Sequence, residues 1–516
     1  MNSRQPEAQA VAIRGDCIVD VGLEADVSNG IGPQTEVIDA AGGRLMPGFN
    51  DAHVHFLAGG LALLGIDLRG AKNEQEFAAI IMDQVASLPS GQWVIGWNWD
   101  HEAWPSRRHP TRGLIDPFTP DNPVLTRRLD GHIAMANSLA LRLAGITRET
   151  PDPAGGQIGR DARTGEPTGI LIDNAQLLVT RVIPEPTLQE KLHATLAAMR
   201  HAASLGVTSV QTMGPLSDLA IYQHLRDAGE LITRIYAVSD APDSQAIAHI
   251  AARPGVADPM LRTGAVKLYA SGSLGAGSAL LFEPYDDQPQ SAGLAIYPEE
   301  ELYQLVAQAD AAGLQVALHA IGDKANHWAL NAFERAIQAN GPREARHRIE
   351  HAQVLRPSDA KRLAPLGVIA SIQPSHCIDD MRWVEKRLGE RAQWAYPFNS
   401  LLAAGARVAL GTDWTVEPLD PMLGLYAAVT REFPGGGPSG GWYPAEKTTL
   451  ERALRAYTLG SAYAEFRERE KGSIAPGKLA DMVLLSQDII ERPAGDLLTT
   501  QVDLTCVGGR IVYRRR

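Results

Sequence analysis

The sequence predicts an α/β protein: a parallel (β/α)8 barrel of the TIM type, a small β domain drawn from both termini, and an inserted subdomain. Three observations carry that expectation. Strand-like runs alternate with helix-like ones eight times. Residues 70–195 interrupt the alternation, and both ends of the chain read as short strands and turns instead.

The elements follow in chain order. Ala10–Ile13 and Cys17–Val21 are short strand-like runs. With the strand-like stretches of 470–516 they predict one small domain from residues 1–49 and 470–516. The barrel then spans 50–469, its first strand within Met46–Phe56. The interruption at about 70–195 holds Trp93–Asp100, several Pro-bearing turns and the Gly-rich Pro153–Gln157. A structureless loop of that length is unusual, so a subdomain above the barrel mouth is expected. The remaining strands are Val207–Met213, Arg234–Val238, Ala265–Ser271, Leu314–Ile321, His347–Gln353, Val368–Pro374 and Arg407–Trp414. Among the helices, Glu299–Ala312 and Ala325–Asn340 place apolar residues every three or four positions. Gly313 and Gly341 follow as caps, and Pro298 precedes the first.

Composition narrows the function classes. Of 516 residues, 45% are apolar, enough for a large core, and the net charge is −12. No basic surplus exists to neutralise phosphates, which argues against nucleic acid and anionic membrane as partners. The terminal Arg514–Arg516 is too short to change that. Three widely separated cysteines (Cys17, Cys377, Cys506) predict free thiols in a reducing compartment. The polar N-terminus and the lack of any run of ~18 apolar residues predict a cytoplasmic protein acting on a small molecule. A homodimer is compatible with this reading.

Chemistry concentrates at six positions. His53 and His55 are two apart, and strand side chains at i and i+2 share a face, so both imidazoles converge at one strand end. Lys267, His319, His351 and Asp413 each sit toward the C-terminal end of a predicted strand, where barrel active sites lie. Singly, each has an ordinary explanation: a snorkelling lysine, a packed histidine, a strand-to-helix cap. Together, imidazoles, a carboxylate and a lysine on five strands predict a divalent-metal site. No Gly-x-Ser-x-Gly elbow supports a serine hydrolase. The glycines of 272–277 lack the spacing of a dinucleotide-binding turn.

The phrases Met46–His55, Val266–Tyr269, His319–Asp323, Arg348–Gln353, Gly411–Trp414 and Lys471–Asp481 carry a resemblance. In their order the sequence is similar to the amidohydrolase superfamily, and in their wording it resembles the YtcJ-like, amidohydrolase 3 branch that includes N-substituted formamide deformylases. The likeness runs nearly the whole length, inserted subdomain included. It implies a (β/α)8 barrel with a composite β-sandwich, and hydrolysis of C–N bonds. By the same resemblance, His53, His55 and Asp413 would hold one metal and His319 and His351 a second. Lys267, carboxylated by CO2, would bridge them when two are bound. Zinc leads among zinc, cobalt, manganese and iron.

Metal-activated water would attack a carbonyl, with Asp413 relaying the proton to the leaving nitrogen. The expected substrate is an N-substituted amide or formamide with an apolar group. Alternatives are a carbamate, urea, cyclic amide or ester, and an inactive ligand-binding barrel. Asp130–His132 resembles a family phrase, which makes His132 a candidate carbonyl or oxyanion donor. Trp97, Trp99 and Trp104 are candidates for an aromatic wall or for the insertion's own core; Gln373, His376 and Trp383 are candidate pocket residues. Two departures stand out. Ser271 occupies a position that is acidic in many relatives, and the strand that usually precedes Ala10–Val21 is not found, which leaves two readings: a small domain without that edge strand, or a misassigned start site.

Overall fold

A computed structural model describes residues 6–86, 88–101, 104–128, 133–153, 156–253 and 255–515. Two compact units result: Met1–Phe56 with Met199–Arg516, and Leu57–Ala198.

The first unit holds eight parallel strands in sequential order: Phe49–Val54, Val207–Gly214, Arg234–Asp240, Leu261–Tyr269, Gln315–Ala320, Arg348–His351, Ile369–Ile372 and Arg407–Leu410. Their side chains are buried nearly throughout, as expected for a parallel sheet covered on both faces. The sheet closes. Val54 bridges Trp414 in parallel, the His55 N–H donates to the Trp414 carbonyl at 2.6 Å, and the Asp413 N–H donates to the His53 carbonyl at 2.7 Å. The Asp51 carboxylate locks this seam, accepting from the Thr412 N–H (3.0 Å), the Thr412 hydroxyl (2.7 Å) and the His53 N–H (3.1 Å).

Helices Glu299–Ala311 and Asp323–Asn340 cover the barrel and end where the glycines predict. Gly313 (φ 77°) and Gly341 (φ 85°) take the positive φ that stops a helix at little steric cost. Glu299, Glu300 and Glu301 place negative charge at the N-terminus of the first, opposing the positive end of its dipole.

Beside the barrel, Arg44–Pro47, Met482–Leu485, Val502–Val507 and Arg510–Arg514 form an antiparallel four-stranded sheet, joining the two ends of the chain. A hairpin of Ala10–Arg14 and Cys17–Gly22 is tied to it through Ile18, whose N–H donates to the Lys478 carbonyl at 2.8 Å. The single strand expected within Met46–Phe56 is therefore two. Pro47 ends one, and at Gly48 the backbone crosses to the barrel so close to Thr208 that a Cβ would lie 2.2 Å from its methyl carbon.

The second unit begins at Leu57, earlier than the expected residue 70, with most of helix Phe56–Leu64 inside it. It is a six-stranded mixed sheet in the order Ile66–Asp67, Val94–Trp99, Val124–Arg128, Ile133–Ala136, Pro167–Asp173, Gly156–Arg160. It has its own cores, one around Phe77, Ile81, Trp99 and Trp104, another around Leu125, Leu141 and Val179. Its helix Glu74–Val85 is capped by Asn73, whose side chain accepts from the Glu76 N–H at 2.9 Å, while the Glu76 carboxylate accepts from the Lys72 N–H at 3.0 Å. Among the described residues, no helix is long and apolar enough to cross a membrane.

The closing seam gives a test. A Cβ at Gly411 would lie 2.6 Å from the His53 nitrogen and 2.7 Å from the Asp51 carboxylate. Gly411→Ala should lower unfolding free energy by ~1–3 kcal/mol or more and weaken metal binding together. A variant with unchanged melting and unchanged metal affinity would contradict this account of the seam.

Candidate metal centre

The barrel's C-terminal strand ends gather the predicted residues. His53 is the last residue but one of the first strand and His55 follows its end; their rings stand 5.7 Å apart, and both Nε2 atoms face Asp413 Oδ1, at 3.5 and 3.3 Å. Lys267 rises from the fourth strand with Nζ 3.5 Å from His53 Nε2. His351, on the sixth, has its ring 4.9 Å from that of His53 and 4.5 Å from that of His319 on the fifth. One ligand atom each from buried His53, His351 and Asp413 lie within 4.8 Å of one another.

Local backbone helps aim them. His351 (φ 77°) and Asp413 (φ 58°) both adopt the left-handed region, which costs a residue with a Cβ about 1–3 kcal/mol. Each breaks the strand's alternation where its side chain must turn to the site. Hydrogen bonds set the rings: Gln373 Oε1 lies 2.9 Å from His351 Nδ1, the Gly272 carbonyl 3.2 Å from His319 Nε2, and Glu350 Oε2 2.6 Å from His53 Nδ1.

Glu350 is the feature that sequence reasoning missed. Fully buried, it pairs with the equally buried Arg348, whose Nε donates to Oε1 at 2.5 Å. That guanidinium also donates to the Ala52 carbonyl (2.5 Å), the Ser371 hydroxyl (3.1 Å) and Gln211. A chain of contacts thus runs Gln211–Arg348–Glu350–His53 across the barrel interior. The signal was present: Arg348 and Glu350 stand two apart in the strand Arg348–His351 and so share a face.

Burial governs protonation. It pushes the His53 imidazole down to about 4, and the charge on Lys267 adds to the effect. Burial and the same lysine take His319 down to about 3. His351 is held well below its ordinary value, first by burial and then by His319. Neutral imidazoles result, which is the ligating form. Burial lowers Lys267 to about 8 against the pull of Glu350 and Asp413. For Asp413, burial acts upward, but the imidazoles of His53, His351 and His55 outweigh it and hold the carboxyl well below its usual range. Glu350 is likewise held down by Arg348 despite burial.

The donor set fits a divalent cation, as neutral imidazoles and an ionised carboxylate are its preferred ligands. One further observation agrees: Asp413 Oδ1 is buried and makes no hydrogen bond, although two imidazole nitrogens face it. Lone pairs aimed at a common point are what a cation requires.

The other predicted residues divide. His376 is buried beside the centre, its Nε2 3.8 Å from Asp413 Oδ2. Gln373 is buried, and its side-chain oxygen holds the His351 ring. Ser271 is buried, its hydroxyl 3.2 Å from the Gly272 carbonyl. Trp383 is half-buried beneath the Arg387 guanidinium. Trp99 corrects the expectation of a substrate wall: with Trp104 it packs on Phe77 inside the second unit, fully buried. Trp97, half-buried in the same unit, stacks under Arg127 at 4.7 Å. His132 lies outside the described residues.

Known proteins resemble the chain along its length. A model described as the amidohydrolase family, of the third type, matches residues 36–513. Protein LONG AFTER FAR-RED 3 of Arabidopsis thaliana is 38% identical, over 99% of this chain and 89% of its own. An N-substituted formamide deformylase of Arthrobacter pascens is 29% identical, over 100% and 96%. The crystal structure of an uncharacterized metal-dependent hydrolase from Pyrococcus horikoshii OT3 superposes with a TM-score of 0.78 at 29% identity, covering 94% of this chain and 95% of that one.

Two outcomes test the centre. Unfolded histidines take up protons below about 6.5, whereas folded His53 waits until about 4 and His319 until about 3. The unfolded state therefore binds more protons in that window, and stability falls with pH. The thermal midpoint of metal-free protein should drop between pH 6.5 and 4, less steeply in His53→Gln; equal slopes would count against neutral burial. Glu350→Gln leaves Arg348 buried and unmatched. It should cost ~3–5 kcal/mol in chemical unfolding and weaken metal binding ~10–100-fold in titration.

Proposed function

From a chain that belongs to the amidohydrolase family and is a metal-dependent hydrolase of carbon–nitrogen bonds, we infer a hydrolase of N-substituted amides or formamides bearing an apolar group. The convergence of His53, His351 and Asp413 carries the chemistry. The full-length similarity to a formamide deformylase supports the substrate class. Three cysteines without disulfides suit a reducing, cytoplasmic setting.

His53, His55 and Asp413 would hold one cation, zinc by preference, and His319 and His351 a second. Lys267 would join them as its carbamate. An ammonium cannot ligate a cation, and an amine brought to about 8 by burial is neutral often enough near neutral pH to attack CO2. When bound, the metal makes water nucleophilic near pH 7 and polarises the scissile carbonyl.

The chain's own residues do the rest. Asp413, ionised and with Oδ1 free of hydrogen bonds, accepts a proton from the attacking water and returns it to the leaving nitrogen. That transfer is needed because an unprotonated amide anion is a very poor leaving group. His351, fixed by Gln373, and His53, fixed by Glu350, keep Asp413 in place from two sides.

A substrate panel decides the class. Metal-loaded enzyme should release amine from N-alkyl or N-aryl formamides faster than it hydrolyses ureas, carbamates, cyclic amides or esters; preference for any of these would reassign the substrate. Asp413→Asn should lower kcat ~10²–10⁴-fold while much of the metal stays bound. Lys267→Ala should lose metal and activity together, with short carboxylic acids restoring part of both. Full metal content in Lys267→Ala would rule out the bridge.

A further inference from the structure

One buried group beside the centre is still unaccounted for. His376 lies in the first turn of the helix Pro374–Asp380 after the seventh strand and is only 7% exposed. Its ring lies nearly parallel to that of His351, 6.2 Å between centroids. Its Nε2 is buried without a hydrogen-bond partner, and the nearest carboxylate oxygen, Asp413 Oδ2, is 3.8 Å away, beyond hydrogen-bond reach.

The other ring nitrogen shows which form the ring takes. Gln353, which follows the sixth strand and is itself buried, places its amide Nε2 3.1 Å from His376 Nδ1. An amide NH2 only donates, so Nδ1 must accept, and a neutral imidazole then carries its proton on Nε2. The field agrees independently: the Asp413 carboxylate faces Nε2, where an N–H is favoured over a lone pair. The result is a buried N–H donor with no acceptor, which is costly unless something supplies one.

We propose that His376, held in its Nε2–H form by Gln353, donates a hydrogen bond to the carbonyl oxygen of the substrate and to the oxyanion formed from it. This rests on the amide-hydrolase reading and adds a catalytic residue to it, with Gln353 as its positioning residue. As the water oxygen bonds to the carbonyl carbon, the C=O π pair moves onto oxygen and the His376 N–H hydrogen bond strengthens. When that pair returns, the C–N bond breaks and the nitrogen leaves as an amine with the proton from Asp413. Atoms balance as amide plus water giving acid plus amine. A donor that strengthens its bond only as charge develops raises kcat more than it lowers KM.

The test uses zinc-loaded, full-length protein labelled with 15N-histidine. The imidazole signal that His376→Gln removes should report a proton on Nε2. Gln353→Glu should move that proton to Nδ1, since a carboxylate accepts where the amide donated. Both variants should keep the wild-type zinc content and lose ~10²–10³-fold in kcat on the best substrate of the panel, with KM within a few-fold. A proton on Nδ1 in the wild type, loss of zinc in His376→Gln, or unchanged kcat overturns the proposal. The wild-type tautomer decides alone where a variant fails to fold. A wild type that holds zinc and hydrolyses no amide sinks the functional reading instead, and the tautomer is still read.

Discussion

Everything at the centre depends on the seam between the first and eighth strands. Two backbone hydrogen bonds, His55 to Trp414 and Asp413 to His53, stitch it at the level of the ligands themselves. The Asp51 carboxylate braces it one turn of the pleat below, taking three hydrogen bonds from Thr412 and His53. Closure of the sheet and assembly of the cation site are thus one event. The backbone that removes the sheet's last free edges also brings three ligands together.

Burial then sets the charge states. A site open to water would leave these histidines partly protonated and repelling a cation near neutral pH. Enclosed in the barrel, they are neutral, while Asp413 and Glu350 are ionised because each faces compensating groups. Arg348 matters most here. Without its guanidinium, Glu350 would be a lone buried carboxylate and His53 would lose the partner that fixes its ring.

Much of this was legible in the order of residues. Eight strand-like runs gave the barrel, since a parallel barrel needs apolar strands with helical returns. Candidate ligands stood out because each polar residue sat where such a strand ends. Less legible were features whose local signal has two physical solutions. Met46–Phe56 looks like one strand until packing at Gly48 divides it between two sheets. Phe56–Leu64 is an apolar run with no turn or cap residue at Leu57 to mark that the second unit starts there. Trp99 carries equal area for a wall or a core, and only its burial decides. Arg348 and Glu350 were read as part of a motif without roles, because a charge inside a barrel is costly until its partner is known.

The seam joins residues made at opposite ends of translation: Asp51 and Thr412 are 361 positions apart. While the ribosome is still building the middle of the chain, His53 and His55 have no aspartate to share and only a frayed edge beside them. The nascent protein therefore offers no finished pocket for scavenging stray ions, and capture waits until Asp413 has emerged.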